Sequence, residues 1–481
     1  MGSTSAQNNE GLGRRDLIKR SAALGLIAVP TMSFLSACAS GDSGTDDKVE
    51  KGEKTDKNPL AVNGSAPLEI VIFDGGFGTK YAEDARDVYK KTYPEAQIKF
   101  SATQKIQSVL QPRFNGGTPP DLIDNSGAQQ MDMGVLVGKK QLTDLTPLLD
   151  APSIDDPAKT VRDTLRPGIV EMGQFDGDPV WIMYYAYTVY GVWYSQTALD
   201  KLDATYPETW DDMLALCAKA KKKGIAGWTY PGKHPYYIPF SLYPFIGKIG
   251  GVEVLNAIDN LEPKAWEHPA VKAAFEAYYE LYAKGYILKG TPGLDHRGSQ
   301  GAWARGKALF IPNGSWVENE EAAIIPKDFK LSVGAPSSLD SSDKLPFGTI
   351  WASGGEPFIV PFKAKNPAGG MEQLRIMLSE ASSKSFTTNT KSLSAFNGGT
   401  DGIELSDGLK SGVAALEKAG TNVVNPRLQD WYVKLQKEQI GVAALGEMMA
   451  GRATPAETIK KIQAFADAAA KDQSIKHFRH Q

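Results

Sequence analysis

The stretch Leu68-Glu69-Ile70-Val71-Ile72-Phe73-Asp74-Gly75-Gly76 decides the fold class of this chain. Its first six residues are apolar enough for a short buried strand, and the stretch ends in a polar, glycine-containing tip. Residues 81–93 then show helical spacing, residues 96–101 return as a strand, and residues 106–114 form a second helix. Because strands that alternate with helices favour a parallel sheet covered by helices, we predict an α/β fold.

A second strand, within residues 119–125, also ends in a polar tip. In open α/β sheets ligands lie beyond the carboxyl ends of the strands. We therefore expect Asp74 and Phe77 at the first tip, and Asn125 and Ser126 at the second, to contact a ligand. Carboxylate, amide and hydroxyl groups suit a ligand that is rich in hydroxyls. The alternative is that these are turn residues only, as most Asp-Gly pairs are.

The N-terminus has the order of an export signal. The pair Arg14-Arg15 precedes a mostly small or apolar run, residues 21–37, which is too short for a confident membrane span. Paired arginines indicate the twin-arginine export route. The run ends at Cys38 in Leu-Ser-Ala-Cys, which resembles the lipobox of bacterial lipoproteins and implies that Cys38 is acylated. An ordinary signal peptide with a chance cysteine is the alternative.

These features predict a signal peptide over residues 1–37 and a flexible linker over residues 38–66, where most side chains are polar or small. Removing the signal peptide takes away four bases and two acids, so the net charge moves from −3 to about −5. That balance excludes a basic nucleic-acid platform. Cys217 has no cysteine partner in the mature chain. We expect the protein at the extracellular face of the cell membrane, held by its lipid only.

Several aromatic residues lie in polar, glycine-rich surroundings and not in periodic helices. Trp316, Trp351 and Trp431 are of this kind, and Tyr237 belongs to a further aromatic cluster. A flat ring covers the apolar face of a sugar while nearby polar groups pair with its hydroxyls, so this pattern favours carbohydrate binding. Core packing is the alternative for any single tryptophan.

A strand that crosses between two lobes is predicted over residues 181–190, from which Tyr184 and Tyr185 could face a cleft. More than 400 residues follow residue 67, which is too many for one core and indicates two lobes.

Four motifs in order resemble the extracellular solute-binding proteins of carbohydrate importers, the group that includes maltose-binding protein. They are Phe-Asn-Gly-Gly-Thr-Pro-Pro-Asp-Leu (114–122), Gly-Val-Trp-Tyr-Ser with Pro-Glu-Thr-Trp-Asp-Asp-Met (191–195 and 207–213), Arg-Gly-Lys-Ala-Leu-Phe with Gly-Ser-Trp (305–310 and 314–316), and Ala-Gly-Arg-Ala-Thr-Pro-Ala-Glu (450–457). The resemblance implies a two-lobed periplasmic-binding-protein-like fold with a hinge and a ligand cleft between the lobes.

By the same resemblance, residues 67–185 plus 330–388 form the N-terminal lobe and residues 189–325 plus 389–471 the C-terminal lobe. Trp316 matches the tryptophan that commonly stacks on the sugar, and Trp351 and Glu356 are further ligand contacts by a looser match. A monomer that delivers a small carbohydrate to the permease subunits of an ABC importer is the implied role. The leader is similar to those of actinobacterial lipoproteins that bind N-acetylglucosamine and diacetylchitobiose, which implies chitin fragments as the cargo.

Two other functions stay open at this point. A secreted glycoside hydrolase needs paired carboxyl groups, and Asp124, Glu318, Glu356 and Asp430 are available. A sugar-sensing receptor would use the same fold. No hydrolase, phosphate-loop or Cys-x-x-Cys motif is present in the sequence, and its five histidines show no metal-ligand spacing. We therefore expect a binding protein without enzyme activity, cofactor or metal, and a frayed C-terminal tail that carries His477 and His480.

Overall fold

The computed structural model describes residues 48–175, 177 and 179–480. The predicted signal peptide, the predicted acylation site Cys38 and the first part of the predicted linker lie outside the described residues. Among the described residues, none of the helices has both the length and the apolar character needed to cross a bilayer.

The described strands belong to one mixed sheet that runs through the molecule in the order β2-β1-β3-β8-β4-β6-β5. The strands are β1 (Leu68–Phe73), β2 (Ile98–Thr103), β3 (Leu122–Asp124), β4 (Met183–Ser195), β5 (Ala226–Trp228), β6 (Ala308–Gly314), β7 (Leu331–Gly334), β8 (Ile350–Ile359), β9 (Leu393–Ser394) and β10 (Val423–Val424).

Helices cover this sheet and form much of the chain. The α-helices are α1 (Lys80–Thr92), α2 (Ile106–Asn115), α3 (Met133–Gly138), α4 (Thr146–Leu149), α5 (Ile169–Gly173), α6 (Gln196–Asp200), α7 (Trp210–Lys222), α8 (Pro239–Gly250), α9 (Val252–Asp259), α10 (Pro269–Ala283), α11 (His296–Ala304), α12 (Val317–Glu320), α13 (Pro367–Met377), α14 (Glu380–Thr390), α15 (Asp407–Ala419), α16 (Leu428–Trp431), α17 (Gly446–Met449) and α18 (Pro455–Lys471). A π-helix spans Leu435–Leu445, and short 3-10 turns span Arg162–Thr164, Pro235–Tyr237, Ala265–Glu267 and Thr291–Gly293.

Two long antiparallel strands, β4 and β8, join the two halves of the sheet. At one end β8 pairs with β3, where Asp124 lies opposite Phe358. We call strands β2, β1 and β3 the β1 half of the sheet. At the other end β4 pairs with β6, through Gly191 opposite Asn313, in what we call the β6 half (β6 and β5). The parallel pairing of β1 with both β2 and β3 is the βαβ arrangement predicted from the sequence.

Sequence periodicity explains the helices that cover the sheet. In α1 the buried residues Tyr81, Ala82, Ala85 and Tyr89 recur every three or four positions, so one face of the helix packs on the core. The last helix, α18, begins with a capping box in which Thr454 and Glu457 satisfy each other's backbone N–H groups.

The second part of the predicted linker is packed on the body. The N–H of Val49 donates to the carbonyl oxygen of Lys365 (2.9 Å), and the side chain of Asn58 pairs with both backbone groups of Val62 (2.8 and 2.9 Å). Val62 itself is buried in the core. The folded body therefore begins well before residue 67. The Asn58 side chain pairs with backbone groups in this segment, and the Val62 side chain packs in the core, neither of which composition alone revealed.

Candidate functional site

A cavity of about 350 Å³ lies between the β1 half and the β6 half of the sheet. From the β1 half it is lined by the segments that follow β1 and β3. From the other side it is lined by the residues around the 235–237 turn, by Trp316, and by the segment 429–437, while β4 and β8 form its floor. The size is at the lower end of the range for small-molecule sites, about 300–1,000 Å³.

Aromatic rings form one wall of the cavity. The indole of Trp316 meets three neighbouring rings edge to face, with centroids 5.7 Å from Tyr190, 6.0 Å from Tyr237 and 5.7 Å from Phe240. Such T-shaped contacts fix the plane of a ring. The indole is therefore held in one orientation before any ligand arrives.

Two glycines leave the space that the Trp316 side chain occupies. A Cβ atom built on Gly314 would lie 2.1 Å from Cζ3 and 2.4 Å from Cη2 of Trp316, and one built on Gly76 would lie 2.9 Å from its Cβ. Carbon atoms do not approach so closely, so only glycine at these positions lets the ring lie against the backbone. The Gly-Ser-Trp motif is thus explained by packing between its first and third residues.

A second ring, Phe73, is held in the same way at the opposite side of the cavity. Cβ atoms built on Gly75 and Gly127 would lie 1.9 Å and 2.2 Å from the Phe73 ring. The glycines in the two strand tips therefore bring backbone against this ring. An apolar surface results on the β1 half, opposite the Trp316 wall.

A pair of carboxyl groups lies at the floor of the cavity. The side chain of Glu356 lines the cavity beside Asp124, whose carboxyl group accepts hydrogen bonds from Ser126 Oγ and from Tyr81 Oη (3.1 Å). Burial raises the pKa of Asp124 to about 6, and burial together with the Asp124 charge raises the pKa of Glu356 well above its usual range. The pair therefore keeps a proton, and Glu356 presents a neutral group to the cavity.

The backbone of Glu356 is in the left-handed region, with φ of 49°. This conformation is uncommon for a residue other than glycine and is found where the surrounding structure imposes it. Its Oε2 atom is buried and makes no hydrogen bond with a described residue.

Asp430 and Lys437 line the far side, and Asp430 Oδ2 lies 3.9 Å from Nε of Arg427. Burial raises the pKa of Asp430 to about 6 and lowers the pKa of Lys437 to about 7. Lys437 Nζ donates to the carbonyl oxygen of Gly127 in the β1 half and lies 5.1 Å above the ring of Tyr236. This lysine consequently bridges the two halves next to the cavity.

The entrance side carries Glu320, which also lines the cavity. Its Oε1 lies 3.9 Å from Nε2 of His296 and 3.7 Å from Nε of Arg297. Its Oε2 is buried and has no hydrogen-bond partner among the described residues. In the described part of the chain, no group of three or more His, Cys, Asp or Glu residues is arranged to hold a metal ion.

The structure brings part of the predicted ligand set together at this cavity. Six of these residues, which come from six separate parts of the chain, line it: Phe77, Ser126, Tyr184, Tyr237, Trp316 and Glu356. Tyr184 projects from β4 with a buried hydroxyl that makes no hydrogen bond with a described residue.

Two predicted residues at the strand tips do not line the cavity. Asp74 is exposed at the surface, although its neighbour Gly75 lines the cavity. The amide of Asn125 is used internally, because it donates to the carbonyl oxygen of Met131 (3.0 Å) and accepts from the N–H of the same residue (2.8 Å). It fixes the loop that carries Ser126.

Three predicted aromatic contacts are packing residues. Tyr185 follows Tyr184 on the strand and so points to the other face, where it stacks on Tyr81 with ring centroids 5.3 Å apart. Trp351 is fully buried and packs on Tyr190, with the ring centroids 4.5 Å apart. Trp431 is buried and packs on His480, with the ring centroids 4.9 Å apart.

Several polar residues line the cavity in addition to the predicted ligand contacts. They are Gln129, Gln130, His234, Gln429, Gln436 and Lys437. Gln429 belongs to the same polar stretch as Trp431, and Gln429 is the residue of the two that lines the cavity. Lys437 lies in the π-helix and has no local signal in the sequence.

Comparison with known proteins gives a family and a fold. A family model described as bacterial extracellular solute-binding protein matches residues 75–384. A diacetylchitobiose binding protein of Streptomyces coelicolor is 38% identical over 430 residues, which cover 88% of this chain and 89% of the relative.

Among solved structures, a chitin oligosaccharide binding protein aligns with a TM-score of 0.68 at 19% identity, over 84% of this chain and 99% of its own. The GacH receptor of Streptomyces glaucescens, solved without ligand and with acarbose, aligns with a TM-score of 0.66 at 16% identity, over 86% of this chain and all of its own (100%). These likenesses confirm the predicted α/β, two-lobed fold.

Proposed function

This chain belongs to the bacterial extracellular solute-binding protein family, and on that premise we propose that it captures N-acetylglucosamine or diacetylchitobiose for an ABC importer. The observation that carries the proposal is the cavity itself, in which Trp316 and Phe73 offer apolar ring surfaces on opposite sides of a polar floor. A sugar ring has two apolar faces and a rim of hydroxyl groups, so it matches both kinds of surface. The diacetylchitobiose-binding relative favours acetylated amino sugars over other carbohydrates.

The electrostatics of the cavity support a neutral ligand. Glu356 holds a proton, and Asp430 lies 3.9 Å from the Arg427 guanidinium, so the carboxyl groups that line the floor and the far side present no uncompensated charge to a ligand. Hydrogen-bond donors and acceptors remain for hydroxyl and acetamido groups. A charged sugar would not be compensated there.

The chain is a binding protein and not an enzyme, because its family and its relatives are solute-binding proteins. The geometry agrees, because the Asp124 carboxyl is fully buried and only Glu356 of this pair lines the cavity. In a glycoside hydrolase the two carboxyl groups stand apart on either side of the scissile bond, about 5–9.5 Å from each other.

We extend the proposal to the cellular arrangement. The protein is exported by the twin-arginine route, acylated at Cys38 and held as a monomer at the extracellular face of the membrane, where it delivers sugar to the permease subunits. The lobes are residues 67–185 plus 330–388 and residues 189–325 plus 389–471, with β4 and β8 as the hinge strands. Support comes from the leader motif and from the way β4 and β8 join the two halves of the sheet.

Titration calorimetry tests the ligand. The mature chain, with Cys38→Ser to keep it soluble, is titrated with N-acetylglucosamine, diacetylchitobiose, maltose and cellobiose. We expect one-to-one binding of the first two sugars only. Binding of maltose or cellobiose alone would keep the sugar-binding function and reject the cargo, and no binding of any sugar would reject the carbohydrate ligand.

Membrane attachment is tested separately in cells. Cys38→Ala should release the protein from the membrane fraction, whereas Cys217→Ala, which removes a buried thiol, should leave it there. Membrane association that persists in the Cys38 variant would contradict the lipid anchor.

A further inference from the structure

The C-terminal segment, residues 476–480, is packed and not frayed. It follows α18, and Phe478 within it is only 2% exposed. The N–H of Phe478 donates to Tyr432 Oη (3.1 Å), and the N–H of His480 donates to Asn260 Oδ1 (2.9 Å). The segment is therefore held by specific contacts at two points.

The first structural link runs from His480 through Asp259. The Asp259 carboxylate is 1% exposed and accepts from the N–H groups of Arg427 (2.7 Å) and Leu428 (2.8 Å) at the start of α16. His480 Nε2 lies 2.9 Å from Oδ2 of the same carboxylate. The histidine thus completes the set of donors that holds this carboxylate against the 427–431 segment.

The second link is aromatic. Trp431 contacts both His480 (4.9 Å between ring centroids) and Phe478 (5.9 Å). On its other side, Phe478 meets Phe175 edge to face at 5.1 Å. A Cβ atom built on Gly134, in α3, would lie 2.2 Å from the carbonyl oxygen of Trp431, so there is no room for the segment to shift toward α3.

Two residues of the 427–431 segment, Gln429 and Asp430, line the ligand cavity. Their positions depend on the placement of Arg427, Leu428 and Trp431, the residues that the tail contacts directly or through Asp259. From this chain of contacts we infer that residues 476–480, and His480 above all, position the cavity wall that carries Gln429 and Asp430.

This inference rests on the proposed sugar-binding function. His480 touches no cavity-lining side chain in the described contacts, so it is a positioning residue. A positioned wall loses less conformational freedom when a ligand binds, and a wall that must be ordered on binding weakens the affinity. The tail therefore acts on affinity without touching the sugar.

The test compares His480→Ala with His480→Gln, whose amide can still donate to Asp259. The matched control is His477→Ala on the same tail, because His477 pairs with the carbonyl oxygen of Ala469 and not with Asp259. Hydrogen exchange of residues 427–432 is measured without sugar, and calorimetry then measures diacetylchitobiose binding by the same proteins.

We expect faster exchange across residues 427–432 in His480→Ala and a dissociation constant raised about tenfold, with His480→Gln and His477→Ala within about threefold of the parent. Exchange that is unchanged in this segment, or equally faster over the whole chain, would overturn the inference. If the parent protein fails to bind diacetylchitobiose, the proposed ligand is rejected, and the exchange data still decide whether the tail positions the wall.

Discussion

The side-chain amide of Asn319 donates a hydrogen bond of 2.6 Å to the carbonyl oxygen of Gly76, a residue that lines the cavity. Asn319 lies in α12, three residues after Trp316, and Gly76 lies in the loop after β1. The bond therefore ties the β6 half to the β1 half on the side where Trp316 stands. Lys437 makes the corresponding link to Gly127 on the opposite side.

We predict that Asn319→Ala weakens sugar binding by about three- to tenfold, the value of one neutral hydrogen bond. The variant should also shift the sugar-free protein toward a more open form, because a contact made only when the halves meet is lost. Calorimetry measures the first effect and small-angle scattering the second. Asn389→Ala, an exposed asparagine on α14, is the control, and an unchanged affinity in Asn319→Ala would show that the bond does not hold the halves together.

The packing of the Trp316 ring against Gly314 gives a second prediction. Trp316→Ala should reduce affinity for the sugar by about a hundredfold or more, because a stacked aromatic anchor carries a large share of binding energy. Gly314→Ala should approach the same loss without removing the ring, since the added Cβ would displace the indole. Gly293→Ala is the matched control, as a Cβ there would meet no atom within 4 Å. Parent-like affinity in Gly314→Ala would contradict the proposed orientation of the ring.

Adjacent tyrosines on β4 give a third prediction. Tyr184→Phe removes a hydroxyl at the cavity and should weaken binding by about five- to tenfold, whereas Tyr185→Phe should leave the affinity unchanged. Each substitution removes one buried hydroxyl from adjacent positions of the same strand, so Tyr185→Phe controls for that loss. Equal losses of affinity in both variants would place the ligand elsewhere.

The carboxyl pair predicts a pH dependence of stability. The pKa of Glu356 lies well above its usual value in the folded protein, so between that usual value and the raised one the folded state holds a proton that the unfolded state has lost. The free energy of unfolding should therefore fall as the pH rises above about 4.3, the usual pKa of a glutamate, and Asp124, whose pKa is raised to about 6, acts in the same direction.

Glu356→Gln isolates this effect. Glutamine still donates to Asp124 but does not titrate, so the free energy of unfolding should depend less on pH in the variant. Denaturant unfolding at several pH values measures both slopes. Identical slopes in the parent and the variant would mean that Glu356 is ionised in the folded protein.

The sequence was sufficient for the fold and for part of the site, for reasons that differ between residues. The β1 strand and α1 follow from local periodicity, and the Gly-x-Trp spacing of Gly314 and Trp316 is itself a local packing unit. Tyr184 and Tyr185 show the limit, because alternation on a strand predicts that only one of them faces the ligand but does not say which.

Other residues depend on contacts between distant parts of the chain. Trp351 and Trp431 occupy polar stretches much as Trp316 does, yet both are buried by elements far away in sequence, namely β4 for Trp351 and the C-terminal tail for Trp431. Lys437 reaches the cavity only because the π-helix places it opposite Gly127. Such neighbours are set by tertiary structure and leave no periodic trace in the sequence.

The packing of Val49 and Val62 on the body shortens the tether by which the protein would be held. If the lipid is on Cys38, eleven residue steps separate it from Val49, and a fully extended chain of that length spans at most about 40 Å. The cavity would then sample a thin layer above the bilayer. Confinement of this kind raises the local concentration of the protein around its membrane partner, so modest affinity for the permease would be enough for delivery.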